Sequence, residues 1–140
     1  MDIDKNEILN DINVINKYLA IIRDKGDIKD EFEYLGVSMA LFTIFNKMIE
    51  LGEDIIDSFN DNFVVNKYVD VPEFLYNKKV LSDDQFKVFK SFIIYRNEIA
   101  HEYEEIRSSE LDWCLNHLNF VEDFVKIVKE RLLWILYLFF

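Results

Sequence analysis

Four residues of the stretch "RNEIAHEY" carry the chemistry that this chain has to offer: Arg96, Asn97, His101 and Tyr103. Arginine grips phosphate through a planar fork of N–H donors. Histidine is the side chain best poised to move a proton near neutral pH. An amide beside them can fix the orientation of either. Arginine and histidine together are the least that metal-free phosphoester chemistry requires. Each residue alone also has an ordinary reading. Arg96 could pair with Glu98, with Glu102 or with an acid on another helix. Asn97 could satisfy a backbone group, His101 could be a half-buried, hydrogen-bonded ring, and Tyr103 a core aromatic.

Spacing sets the terms on which they can cooperate. On a helix, residues four apart share a face, as Asn97 and His101 do. Arg96 and His101 are five apart, which places them about 140° around the axis. Three arrangements would bring them together: a curled arginine stem, a helix break near His101, or a second subunit that completes the site. The angle and the large apolar content favour a dimer with a site shared across a two-fold axis.

The elements that must position this cluster are helices. Half of the 140 residues are hydrophobic, with 13 Phe, 7 Tyr and 2 Trp, which is ample for one core. Three Gly and one Pro are too few for the frequent turns of an all-β domain. A first helix is expected from about residue 5 to 24, started by Asp4 with Glu7, lined by Ile8, Ile12, Ile15, Leu19 and Ile22, and stopped by Gly26. A second covers about 29 to 59, with Leu35, Met39, Phe42, Phe45, Ile49, Ile56 and Phe59 on its apolar face. Gly36 and Gly52 in it mark close helix contacts or a kink.

Residues 60 to 81 are less regular, with a short helix carrying Pro72 in its first turn. The motif helix begins after Ser82, where "SDDQ" forms a capping box with Gln85. A long last helix, about 109 to 138, has Leu111, Leu118, Val125, Leu132 and Phe139 every seven residues. Cys114, Val121, Val128 and Ile135 follow the same period, offset by three. The architecture expected is all-α: an up-and-down bundle of four or five helices, forming a single domain over residues 1–140.

Charge and composition exclude several functions. The net charge of −11 repels nucleic-acid backbones and anionic membrane surfaces, which counts against broad, non-specific binding to either. The stretch from Tyr76 to Arg96 is locally basic through Lys78, Lys79, Lys87, Lys90 and Arg96, and is the only one suited to an anion. A single cysteine and an acidic N-terminus without an apolar h-region suit the cytoplasm. The apolar end "LLWILYLFF" is far short of the roughly 20 residues of a membrane span, and reads as a helix end buried in the core or in a subunit interface.

Cys114 and His117 have the spacing of half a zinc site, but the other half is missing. Asp83 and Asp84 suit a helix N-terminus rather than catalysis. There is no Gly-rich phosphate loop and no G-x-S-x-G, so nucleotidyltransferase activity in this chain itself is not expected; the chemistry of arginine and histidine calls for neither a metal nor another cofactor.

Arg96-x-x-x-x-His101-x-Tyr103 resembles the R-x-x-x-x-H-x-Y signature of HepT-like proteins, a branch of the HEPN superfamily of small helical domains. "YLGVSMALFTIFNKMIELGEDII" is similar to the family's long second helix. "VPEFLYNKKVLSDDQFKVFKSFIIYRNEIAHEY" is similar to its segment from the Pro turn through the motif.

The resemblance implies a dimeric HEPN-like bundle acting as a metal-independent endoribonuclease toxin. It implies His101 as the acid/base, Arg96 as the phosphate binder and Asn97 as the residue that orients the site. Tyr103 would accept AMP from a nucleotidyltransferase antitoxin of the MntA type, which silences the toxin. RNA fits such a mechanism because it carries its own nucleophile in the 2′-hydroxyl. The alternative is a non-catalytic helical adaptor that binds a partner protein through its dimer interface.

Overall fold

The structure is a computed structural model and describes residues 4–102 and 108–133. Among them there are only helices: α1 (Lys5–Lys25), α2 (Glu31–Ser58), α3 (Asp70–Asn77), α4 (Asp83–Glu102), α5 (Ser108–Asn116) and α6 (Leu118–Val128), the last running into a π-helical turn, Lys129–Leu133. The all-α bundle expected from composition is the fold observed.

Local chemistry explains most of the boundaries. Asp4 caps α1, its Oδ1 accepting from the backbone N–H of Asn6 at 3.0 Å and of Glu7 at 3.2 Å. Gly26 ends α1 at φ 71°, a region that a side chain would disfavour. Asp30 caps α2 through the N–H of Glu33 at 2.8 Å. The box at the start of α4 is reciprocal: Ser82 N–H donates to Gln85 Oε1 at 2.9 Å, and Gln85 N–H donates to Ser82 Oγ at 3.2 Å. Pro72 sits in the first turn of α3, where its missing N–H disturbs no helical bond.

α2 is the centre of the bundle and packs against α1, α3, α4 and α6. It is long and apolar enough to cross a membrane, but its apolar residues go into the core: Leu41, Ile44, Phe45, Met48, Leu51 and Ile55 are almost completely buried. The face read from the sequence is correct for Phe45, Ile49 and Ile56 and wrong toward the N-terminus. Leu35 is 46 % exposed and Met39 54 %, while Val37, Ala40 and Leu41 are buried instead. α2 is apolar nearly all round, so periodicity alone did not identify the side that meets its neighbours.

The two glycines of α2 also differ. A Cβ on Gly52 would lie 2.4 Å from Val71 Cγ1, so this glycine lets α3 approach closely, whereas Gly36 faces open space.

The heptad seam is buried throughout the described residues, from Leu111 and Cys114 through Leu118, Val121, Val125 and Val128 to Leu132. The single helix expected to carry it is not observed. It divides at His117, whose ring Nδ1 lies 2.7 Å from the carbonyl oxygen of Trp113. That carbonyl is the acceptor that a regular helix would give to the His117 N–H. The His117 N–H bonds instead to Cys114 O at 3.0 Å, which tightens the turn. The expected seam positions Ile135 and Phe139 lie outside the described residues, as does most of the apolar C-terminal stretch.

Candidate active site

α4 is fixed by aromatic packing before it presents its polar residues. Phe92 stacks on Phe45 of α2 with ring centroids 4.4 Å apart, and meets Trp113 of α5 edge-on at 5.8 Å. Phe89 meets Phe124 of α6 edge-on at 5.0 Å. Arg96 is one helical turn beyond Phe92, and Asn46 is the residue after Phe45. The packing that seats Phe92 on α2 therefore also brings Arg96 to Asn46.

Arg96 is half-buried and held on several sides. Its Nε donates to Asn46 Oδ1 at 2.7 Å, and its Nη1 donates to Asn97 Oδ1 at 3.3 Å. Its Cζ lies 5.0 Å from the centre of the Phe42 ring and 4.6 Å from that of Tyr68. Phe42 and Asn46 are four apart, so one face of α2 supplies both a ring and an amide. Tyr68 comes from the connection between α2 and α3 and is 43 % exposed. The negative ring faces attract the cation without neutralising it. Among the described residues Arg96 makes no ion pair, so of the carboxylates weighed for it Glu98 is not the one that holds it, and the Glu102 side chain lies outside what the structure describes.

Asn97 thus stands where the sequence reading put it, beside the guanidinium. His101 lies in the last turn of α4 and is exposed rather than half-buried. α4 continues through Glu102, so no helix break at His101 brings it round to Arg96. Arg96 is turned onto α2 while His101 faces solvent, and among the described residues no hydrogen bond joins the two. Tyr103 lies outside the described residues.

The basic stretch before the motif is less available than its composition implied. Lys78 pairs with Asp61 at 2.5 Å and Lys87 with Asp83 at 3.0 Å. Lys90 lies over the Phe86 ring at 5.8 Å. Among the described residues Arg96 has no carboxylate partner either, and two amides and two rings hold it.

The site residues that sequence reading missed are Asn46 and Tyr68, and Phe42 was read as core. Asn46 left a signal, being the one amide inside the largely apolar run "ALFTIFNKMIEL". Tyr68 left none, because its role depends on the path of an irregular connection.

The weaker candidates resolve into packing. Cys114 is fully buried, and burial, then the nearby Glu110, pushes its thiol up to about 12. The His117 ring stacks on Trp113 at 3.9 Å. Among the described residues no group of three or more His, Cys, Asp or Glu side chains is arranged to hold a metal ion.

Comparison with known proteins agrees with the fold. YutE of Bacillus subtilis (strain 168), provisionally named an RNase, is 23 % identical over 131 residues, covering 93 % of this chain and 90 % of that protein. The solved structure of Bacillus subtilis YutE, described as a cytosolic protein of unknown function, superposes with a TM-score of 0.78 at 22 % identity, over 91 % of this chain and 90 % of the other. The model of the family "Ribonuclease HepT-like" matches residues 8–128, which include Arg96, Asn97, His101 and Tyr103. The chain belongs to the ribonuclease HepT-like family.

Proposed function

We propose that this protein is the toxin of a HepT/MntA-type toxin–antitoxin system, a metal-independent endoribonuclease silenced by AMP transfer to Tyr103. The observation that carries the reading is the state of Arg96: half-buried, held in a defined pose, and paired among the described residues with amides and rings and no carboxylate. A cation kept in that condition is suited to meeting an anion. It lies on the same helix as an exposed histidine, in a chain of a ribonuclease family.

In the proposed reaction His101 takes the proton of the RNA 2′-hydroxyl. The 2′-oxygen bonds to phosphorus, and the bond from phosphorus to the 5′-oxygen breaks. His101 hands that proton on to the 5′-oxygen as it leaves, and the products are a 2′,3′-cyclic phosphate and a 5′-hydroxyl. Arg96 stabilises the charge that grows on the phosphate oxygens. Asn97 orients the guanidinium.

The unit is one domain over residues 1–140, acting in the cytoplasm as a homodimer. The dimer is supported by the roughly 140° between Arg96 and His101 on an unbroken helix, which favours pairing the arginine of one subunit with the histidine of the other. AMP on Tyr103 places a bulky anion beside the motif, by the electrostatics that operate in phosphorylation. The partner is a nucleotidyltransferase antitoxin.

The test is cleavage of RNA by purified protein in EDTA, beside His101→Ala. Cleavage by the wild type alone, leaving 2′,3′-cyclic ends, supports the reading. Equal cleavage by both variants, or none by wild-type protein that mass spectrometry shows to be unmodified at Tyr103, defeats it. A separate assay addresses the shared site: co-expressed Arg96→Ala and His101→Ala chains regain activity that neither has alone, and a monomeric mass by light scattering at micromolar concentration would contradict the dimer.

The adaptor reading is favoured by one feature. Phe32, Leu35 and Met39 form an exposed apolar stripe beside Ile21, along the groove between α1 and α2. A stable stoichiometric protein complex without RNA cleavage would be its signature.

A further inference from the structure

A guanidinium has five N–H donors in one plane. In Arg96 two of them are engaged inside the fold, Nε by Asn46 and one on Nη1 by Asn97. The Nε bond is the shorter, at 2.7 Å against 3.3 Å, and it comes from a different helix, 50 positions away in the chain. Asn97 follows Arg96 on the same helix and moves with it, whereas Asn46 ties the guanidinium to the central helix of the bundle. Among the described residues Nη2 has no hydrogen-bond partner within the fold.

We propose that Asn46 is the positioning residue of the Arg96 phosphate site: by holding Nε it fixes the guanidinium plane and leaves Nη2 as the group presented to the scissile phosphate. This rests on the ribonuclease reading above. The physical reason is pre-organisation. Arginine has many rotamers, and a phosphate that must order them at the moment of reaction loses part of the stabilisation it receives. The Phe42 and Tyr68 rings restrict where the cation lies, but a ring face attracts it without selecting which nitrogen points outward. The amide oxygen of Asn46 makes that selection. The bond also buries the Nε donor in a satisfied state, so the part of the guanidinium that faces inward needs nothing from a ligand.

The experiment has two readouts on the full chain. The first is single-turnover cleavage of a single-stranded RNA by wild type and Asn46→Ala. The second is binding of the same sequence with 2′-O-methyl groups, which cannot be cut, to wild type, Asn46→Ala, Arg96→Ala and the double variant. Asn46→Ala is expected to slow cleavage by about 10- to 100-fold, to weaken binding by a smaller factor, and to leave the circular-dichroism spectrum unchanged. In the Arg96→Ala background it is expected to weaken binding no further, because its effect acts through Arg96. If Arg96→Ala does not fold, Arg96→Lys, which has no Nε, takes its place in the cycle.

Cleavage by Asn46→Ala within two-fold of wild type overturns the proposal. So does an equal loss of binding with and without Arg96, which would make Asn46 an independent contact or a packing residue. If the wild type cuts no RNA, or is matched by Arg96→Ala and His101→Ala, the ribonuclease reading fails by itself. The positioning proposal is then decided by the binding cycle: coupling between Asn46 and Arg96 upholds it, and absent binding or absent coupling ends it.

Discussion

Arg96 and Lys47 are both cations drawn onto the surface of α2, and they are held in opposite ways. Asn46 and Lys47 are consecutive, so their side chains leave α2 about 100° apart. One faces α4 and the other faces α1. Lys47 meets two carboxylates, Asp11 Oδ1 and Glu50 Oε2, each at 3.2 Å. Asp11 is almost completely buried, and among the described residues its Oδ2 has no hydrogen-bond partner. Nearby Asp54 feels the charges of Glu7, Asp11, Asp57 and Glu50, so the α1–α2 side carries an excess of negative charge. Arg96 meets two amides and two rings. A lysine surrounded by acids is neutralised and serves the fold. An arginine solvated by neutral dipoles keeps its charge uncompensated. The first arrangement repels a phosphate and the second invites one, although adjacent residues of one helix build both.

The largest expected effect separates the two cations by activity. Arg96→Ala lowers RNA cleavage by about 10²- to 10³-fold, the typical loss when a transition-state donor is removed. Arg96→Lys keeps the charge, loses the fork and the Nε bond, and recovers only a small part of that loss. Lys47→Ala leaves the cleavage rate per folded molecule unchanged. A strong catalytic defect in a well-folded Lys47→Ala protein would break the distinction drawn here.

Stability should reverse the order. Lys47→Ala leaves the buried Asp11 carboxylate without its cation and destabilises the protein by about 1–3 kcal/mol, read from urea unfolding at neutral pH. Lys47→Arg, which keeps a cation opposite Asp11, recovers most of that stability. Equal stability of wild type and Lys47→Ala would mean that the carboxylates do not depend on the lysine.

The smallest effect is in the pH dependence. Burial first, then the charges of Glu7, Asp11, Asp57 and Glu50, push Asp54 up to about 7 from its ordinary 3.8. Burial first, then Glu50, pushes Asp11 up to about 6, and Lys47 only partly offsets this. For an acid whose pKa is raised by folding, the folded state binds more protons across the window between the two values. Stability therefore falls as pH climbs from about 4 to about 7 and levels off above that. Asp54→Asn should raise the melting temperature by a few degrees at pH 8 and flatten the profile between pH 4 and 7. A wild-type profile that rises across this window would refute the assignment.

Much of the architecture was legible from residues whose effect is local. Asp4, Gly26, Ser82 with Gln85, and Pro72 mark element ends because capping and turn geometry involve neighbours in the chain. The seam from Leu111 to Leu132 was legible because its period survives the interruption at His117. The interruption itself was not, because it depends on whether one imidazole reaches one carbonyl. The exposed Leu35 and Met39 were misread for a related reason: an apolar residue in a sequence carries no sign of whether a partner will cover it.

The candidate site divides along the same line. The sequence by itself determined which groups are available, an arginine, an amide, a histidine and a tyrosine on one stretch of chain, because side-chain chemistry and helical spacing are fixed by residue type and order. Only the tertiary structure decided how the arginine is held. The hydrogen bond from Arg96 to Asn46 spans 50 residues, and the Tyr68 ring arrives by an irregular connection. Neither follows from any local preference. The first arises because Phe92 stacks on Phe45, and the packing of two large rings sets the register in which α4 lies along α2; the second depends on the path of the connection between α2 and α3.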